Sequence, residues 1–292
     1  MTTRAPKKNA ADEAGDRRAQ GAALYVYCLG EREQLSALFE EESLPASVEE
    51  GAALELVEAA HLAAVVSSVP LSDYGEGAIE ARLADPAWTA ARALSHQQAV
   101  EFFARVADVV PLRFGTIYLT RERVAAMLEE NADALGAVVE RLRGREEWGV
   151  NVYADRDALK EKIVEASERL RGMAQQAEAA APGQAYLLRK KIESLRADES
   201  RAEMKRVASE VETELGAAAE GAARLRVFKD ESSERGEAVA AKLAFLVARG
   251  RFEEFREAAE SLAARRAPHG FRFELTGPWP AYNFAATEQS NE

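Results

Sequence analysis

The chain has 292 residues, 47% of them hydrophobic, which is enough for two domains with a core each. Asp and Glu outnumber Lys and Arg by 50 to 38, a formal net charge of -12. A surface of that sign repels nucleic-acid phosphates, and no basic stripe with interleaved aromatics offsets it. The single cysteine, Cys28, excludes an internal disulfide. The longest apolar stretch, residues 239–248, is interrupted by Lys242 and has about half of the ~20 residues needed to cross a bilayer. These features predict a soluble, cytoplasmic protein that binds neither nucleic acid nor membrane.

Residues 1–21 are polar, Ala-rich and unpatterned, and read as a disordered tail. Order is predicted to begin with a strand over 24–29, followed by a short helix after Gly30. Strands follow at 54–59 and 62–68. The second is apolar on both faces, as a central strand should be, and Pro70 ends it. Asp85-Pro86 starts the next helix, with Pro86 at a position where its missing N–H costs nothing. A strand is predicted over 111–119. Thr120 caps a further helix that runs to about Leu142. The order is βαββαβ, the ferredoxin-like arrangement.

A second unit opens with a strand at 147–153. From Asp157 the residues Leu159, Ile163, Ala166, Leu170, Met173 and Ala177 step by four and three, a short coiled-coil seam on one helix. Pro182-Gly183 breaks it. A second long helix reaches to about Ala219, with its seam shifting between Leu195 and Met204 as in a stutter. Strands at 224–228 and 238–247, a helix at 251–265 and a strand at 271–275 complete another βαββαβ set. The fold class is therefore α+β, with two ferredoxin-like domains, the second carrying a long antiparallel helical hairpin. The expected boundaries are a tail at 1–21, a first domain at 22–143, a second at 144–276 with the hairpin at about 157–219, and an aromatic tail at 277–292.

Residue supply argues against catalysis. His61, His96 and His269 lie in separate elements without ligand spacing, and no phosphate loop or nucleophile elbow is present. His96 reads as a helix histidine bonded to a neighbouring group, and Cys28 as a small buried hydrophobe. No catalytic, cofactor or metal residue is assigned.

Two segments are distinctive. In Pro111-Leu112-Arg113-Phe114-Gly115-Thr116, strand alternation puts Phe114 with Leu112 and Thr116. Gly115 marks a bulge or the close approach of another backbone. Arg113 is expected to pair with Asp85 or Glu101. In Gly277-Pro278-Trp279-Pro280-Ala281-Tyr282-Asn283-Phe284, two prolines remove two donors, so the segment is not a central strand. Trp279, Tyr282 and Phe284 are expected to bury on the chain's own domains, leaving a partner's surface as the alternative. Arg113, Phe114, Gly115, Trp279, Tyr282 and Phe284 are thus the candidate structural or partner-contact residues.

Together these residues resemble the GvpL/GvpF family of gas vesicle proteins. The resemblance also rests on Tyr25-Val26-Tyr27, Val65-Val66-Ser67, Asp85-Pro86-Ala87-Trp88 with His96 downstream, Glu147-Trp148, and Gly183 to Leu187 with Lys190-Lys191. It implies a cytoplasmic, vesicle-associated accessory protein with no catalysis and no cofactor. It further implies binding of the small hydrophobic shell protein GvpA, and contacts with other accessory gas vesicle proteins. Adaptor or chaperone in assembly is the leading reading and minor component of the vesicle wall the alternative. A ligand-binding or enzymatic ferredoxin-like protein is the remaining rival.

Overall fold

The computed structural model describes residues 21–41, 43–228, 232 and 235–286. Apart from Gly21, the tail expected at the start lies outside them. The chain forms two compact units: residues 1–143 with 280–292, and residues 144–279.

In unit 1, β1 (Ala22–Glu31) leads to α1 (Arg32–Glu41), β2 (Leu54–Ala59) and β3 (Leu62–Pro70). Two short helices follow, α2 (Leu71–Tyr74) and α3 (Ala78–Leu83). Next come α4 (Pro86–Val106), β4 (Val109–Pro111), β5 (Ile117–Tyr118), α5 (Arg121–Glu130) and α6 (Ala132–Leu142). The sheet is antiparallel in the order β2-β3-β1-β4, with β5 also on β1. β1 and β3 are central, and most of their residues are buried, which explains their apolar runs. One core joins Tyr25, Tyr27, Leu35, Val65, Val100 and Phe103, while α5 and α6 also pack on the strands.

Caps explain several starts. Asp85 accepts from the N–H groups of Ala87 and Trp88, with Pro86 at the first helical position. Thr120 accepts from Arg123 N. The single helix predicted from Thr120 to Leu142 is instead two, because Asn131 leaves helical geometry (φ −114°) and its side chain donates to Met127 O at 2.8 Å.

In unit 2, β6 (Arg145–Ala154) precedes α7 (Arg156–Ala166), α8 (Glu168–Ala179) and α9 (Pro182–Gly216). Then come β7 (Gly221–Arg224), β8 (Ala238–Ala248), α10 (Phe252–Arg266) and β9 (Phe271–Trp279). The sheet order is β7-β8-β6-β9, so the strands of both units are arranged second, third, first, fourth. The core joins Val150, Leu159, Ile163, Leu170, Val207, Val211, Phe245 and Phe255.

Three expectations for this unit change. The first helix of the hairpin is broken at Ser167, whose Oγ accepts from Leu170 N and donates to Glu199 Oε2 at 2.8 Å. The apparent stutter in α9 is filled by carboxylates. Leu195, Glu199, Glu203, Val207, Val211 and Leu215 continue in steps of four, and Glu199 and Glu203 are buried. Arg169 pairs with Glu199 at 3.0 Å, and Arg206 and Arg266 pair with Glu203. The strand placed at 224–228 ends at Arg224. Phe228 is exposed, with the Arg226 guanidinium 5.1 Å from its ring centroid.

Candidate functional site

The hexapeptide Pro111 to Thr116 is not a strand throughout. Leu112 N donates to Tyr27 O and Val26 N to Thr116 O, so both ends remain on β1 while Arg113 to Thr116 turn outward. Thr116 N and its hydroxyl both bond Arg113 O, at 3.2 and 2.7 Å. Gly115, third in this turn, has φ +82°, the conformation a type II turn requires at that place. No atom crowds the position of its missing Cβ, so the glycine serves φ and not the approach of another backbone. Arg113 is exposed at the corner and makes no ion pair with Asp85 or Glu101. Asp85 is occupied as a cap and Glu101 with Gln97.

Phe114 and Gly115 border a cluster of rings built from β1, α4 and the chain's return to unit 1. Tyr25 and Tyr27 stand 4.9 Å apart between ring centroids. The register shift between Val26 and Cys28 on β3 leaves Tyr27 at a bulge, the feature that re-aims a side chain. His96 lies on the buried stripe of α4 with Ala99, Val100 and Phe103. It stacks on Tyr27 and meets Phe114 edge-on at 5.8 Å.

Hydrogen bonds order the cluster. Gly115 N donates to Tyr25 Oη at 3.0 Å, leaving the phenol proton for His96 Nδ1, also at 3.0 Å. The imidazole then carries its own proton on Nε2, which faces Tyr282 Oη at 3.1 Å. The opposite tautomer would leave the Tyr25 proton without an acceptor. Burial pushes His96 down to about 4, so the ring is neutral at pH 7. Burial likewise raises the phenols of Tyr25 and Tyr282, which stay protonated. Tyr27 Oη accepts from Val48 N and bonds Ser67 Oγ at 2.8 Å. Beside them, Glu49 accepts from Tyr74 Oη and from Arg92, whose guanidinium lies 5.0 Å from the Trp88 ring centroid.

The aromatic tail divides. Gly277, Pro278 and Trp279 end β9, at the edge of its sheet, where prolines are tolerated. Trp279 is 44% exposed, its Nε1 donating to Thr276 Oγ1 at 3.1 Å, against the expectation that it would bury. The indole nitrogen lies 3.8 Å from where a Cβ on Gly149 of β6 would stand, so the ring rests on the sheet beside that glycine with one part in water. Pro280 and Ala281 are buried, Tyr282 reaches His96, and Phe284 is half-buried. Arg141 Nη2 on α6 holds this end, donating to Phe284 O at 2.8 Å and Ala286 O at 2.7 Å. Of the six candidates, the structure therefore gathers Phe114, Gly115 and Tyr282 around His96, seats Phe284 under Arg141, and leaves Arg113 and Trp279 at the surface.

Sequence reasoning missed Tyr25, Tyr27 and Arg141 as members. The alternation Tyr25-x-Tyr27 put both rings near one edge of β1, but nothing local announced their partner on α4. The arrangement can position and bury a returning segment. Its one hydroxyl–imidazole pair, Tyr25 with His96, is buried with the phenol held protonated, and Cys28 is fully buried with its thiol pushed up by that burial. Among the described residues, no group of three or more His, Cys, Asp or Glu is arranged to hold a metal ion. No helix among them is long and apolar enough to cross a membrane.

The sequence matches the family described as "Gas vesicle synthesis protein GvpL/GvpF" over residues 23–286. It is 32% identical over 233 residues to "Gas vesicle protein L" of Streptomyces sp. (strain CB03234), covering 79% of this chain and 82% of that one. The fold is similar to the crystal structure of GvpF from Anabaena sp. PCC7120, with TM-score 0.64 at 16% identity, over 91% of this chain and 99% of that one. GvpF from Microcystis aeruginosa aligns with TM-score 0.59 at 15% identity, over 90% and 99%.

Proposed function

Because the chain belongs to the GvpL/GvpF family of gas vesicle proteins, we propose that it acts in gas vesicle assembly as an adaptor or chaperone for the shell protein GvpA. The observation that carries this reading is the extent of the match, which spans both units and ends with the docked segment beyond Tyr282. A small amphipathic shell protein needs its apolar surface covered before it polymerises, and a non-catalytic binding protein meets that need. We read the chain as non-enzymatic. Its three histidines lie in separate places: His96 in the ring cluster, His61 beside Gly136 of α6, and His269 in the turn before β9.

We further read both units as ferredoxin-like, a reading supported by their shared strand order and by βαββαβ succession once α7 to α9 together are counted as the first helical element of unit 2. The domains are then 22–143 completed by 280–286, and 144–279 with the hairpin within it. The location is the cytoplasm, in association with vesicles. Two measurements test the function. Immobilised GvpA should retain the purified chain in a saturable manner, and failure to do so refutes the adaptor reading. Quantifying the chain in washed, intact vesicles against its free pool should find it mostly free. A fixed, wash-resistant amount per vesicle would instead make it a wall component.

A further inference from the structure

The long helix α9 has two apolar faces at its start. Ala185 and Ile192 are buried, and Leu188 and Leu195 half-buried, on the side that packs in unit 2. On the opposite side Tyr186 and Leu187 are 64% and 65% exposed. At helical spacing Lys190 lies one turn from Tyr186 and from Leu187, and Lys191 one turn from Leu187, so the four side chains share one face. Arg189 flanks it. Arg189, Lys190 and Lys191 are exposed and have no carboxylate partner among the described residues. Elsewhere in unit 2, arginines such as Arg206, Arg256, Arg265, Arg266 and Arg272 are each paired with glutamate. On a chain of net charge -12, this turn is therefore an apolar island ringed by unneutralised cations.

We propose that this face of α9, centred on Tyr186, Leu187, Lys190 and Lys191, docks an acidic amphipathic helical segment of a partner protein. Charge complementarity selects the occupant. An acidic segment is repelled by the acidic surface as a whole and drawn to this turn, where three adjacent cations without a carboxylate partner among the described residues stand beside exposed apolar side chains. The exposed Tyr and Leu then supply the central contact, Tyr being a residue type enriched where binding energy concentrates. The inference goes beyond the assembly reading above and does not depend on the identity of any shell protein.

The probe is a fluorescein-labelled synthetic peptide, helical, with Glu on one face and Leu on the other, titrated with the full chain and read by fluorescence anisotropy. Saturable binding is expected, weakening steeply with added salt. Lys190→Glu with Lys191→Glu should weaken it by about tenfold or more, and Tyr186→Ser with Leu187→Ser by a similar factor. A peptide with Lys in place of Glu should bind the charge-reversed variant and not the parent. All four positions are exposed, so unchanged circular dichroism is expected and confirms folding. Absence of binding, or binding by either variant as tight as the parent's, overturns the proposal, as does equal binding of a Glu/Ser peptide without an apolar face. Two further results would also overturn it by naming another occupant. One is self-association in sedimentation that Tyr186→Ser with Leu187→Ser abolishes. The other is flotation with anionic lipid vesicles that depends on the same residues.

Discussion

Acidification should loosen unit 1 through a single side chain. In the folded protein His96 stays neutral until about pH 4, whereas an unfolded chain takes up the proton near 6.5. Between those values the unfolded state binds more protons, so stability falls as pH falls and levels off below about 4. The full separation corresponds to about 3 kcal/mol, and at pH 4.5 about 2.5 kcal/mol of it is already lost. The geometry gives the reason. Nδ1 accepts from Tyr25, so a second proton on the ring would face the phenol's own hydrogen inside a group of aromatic rings. The assay is urea unfolding at pH 7 and pH 4.5, for the parent chain and for His96→Gln. Trp88 is the tryptophan of unit 1, so Trp148→Phe with Trp279→Phe makes fluorescence report on that unit. His96→Gln should be less stable at pH 7, and the difference between the two chains should shrink by about 2.5 kcal/mol at pH 4.5. Other titrating groups are common to both and cancel. An identical acid dependence in the two chains would refute the argument.

Trp279→Ala should leave the melting temperature of the purified chain within a few degrees of the parent, about 1 kcal/mol or less, because nearly half of the indole is already in water. A loss of about 3 kcal/mol in calorimetry would show that it is buried after all. Gly277→Ala should cost more than about 2 kcal/mol. Its φ of +127° is strained for any L side chain, and a Cβ would sit 3.0 Å from Glu147 O; denaturant titration of unit 2 measures it. Glu203→Ala should cost about 1–2 kcal/mol, because it empties the space of a buried carboxylate that meets Arg206 and Arg266, while Arg266 keeps Glu210. Glu203→Met should cost less, since it removes the charge but fills the space, and equal losses would contradict that account.

What could be read from the residues divides along a physical line. Capping is local, so Asp85-Pro86 and Thr120 placed helix starts correctly, and the unbroken apolar run of β3 marked a central strand. Breaks that preserve periodicity were invisible. Ser167 sits between Ala166 and Leu170 without disturbing the four-residue step, and Asn131 does the same between Leu128 and Leu135. Glu199 and Glu203 fell in the gap that looked like a stutter, because their cationic partners lie on α8 and α10 or a turn away, which no single-helix pattern shows. Gly115 read as a bulge or the close approach of another backbone, because the alternation of Leu112, Phe114 and Thr116 imitated a strand where the chain makes a turn. The two were separated by a tertiary contact, the bond from Gly115 N to Tyr25. Of the candidate residues, Tyr282 docks as the aromatic tail suggested, while Trp279 rests on its sheet with one part in water.

Unit 1 is discontinuous, and that has a consequence for synthesis. Residues 22–143 leave the ribosome first, but Tyr282 and the carbonyls that Arg141 holds follow only after the whole of unit 2. At ordinary elongation rates the delay is on the order of ten seconds. Through that interval the contacts of Tyr282 with His96, and of Arg141 with the carbonyls of Phe284 and Ala286, are missing. A chain truncated by early termination within unit 2 never makes them. The first unit to be made is thus the last to be finished, since residues 280–286 complete it.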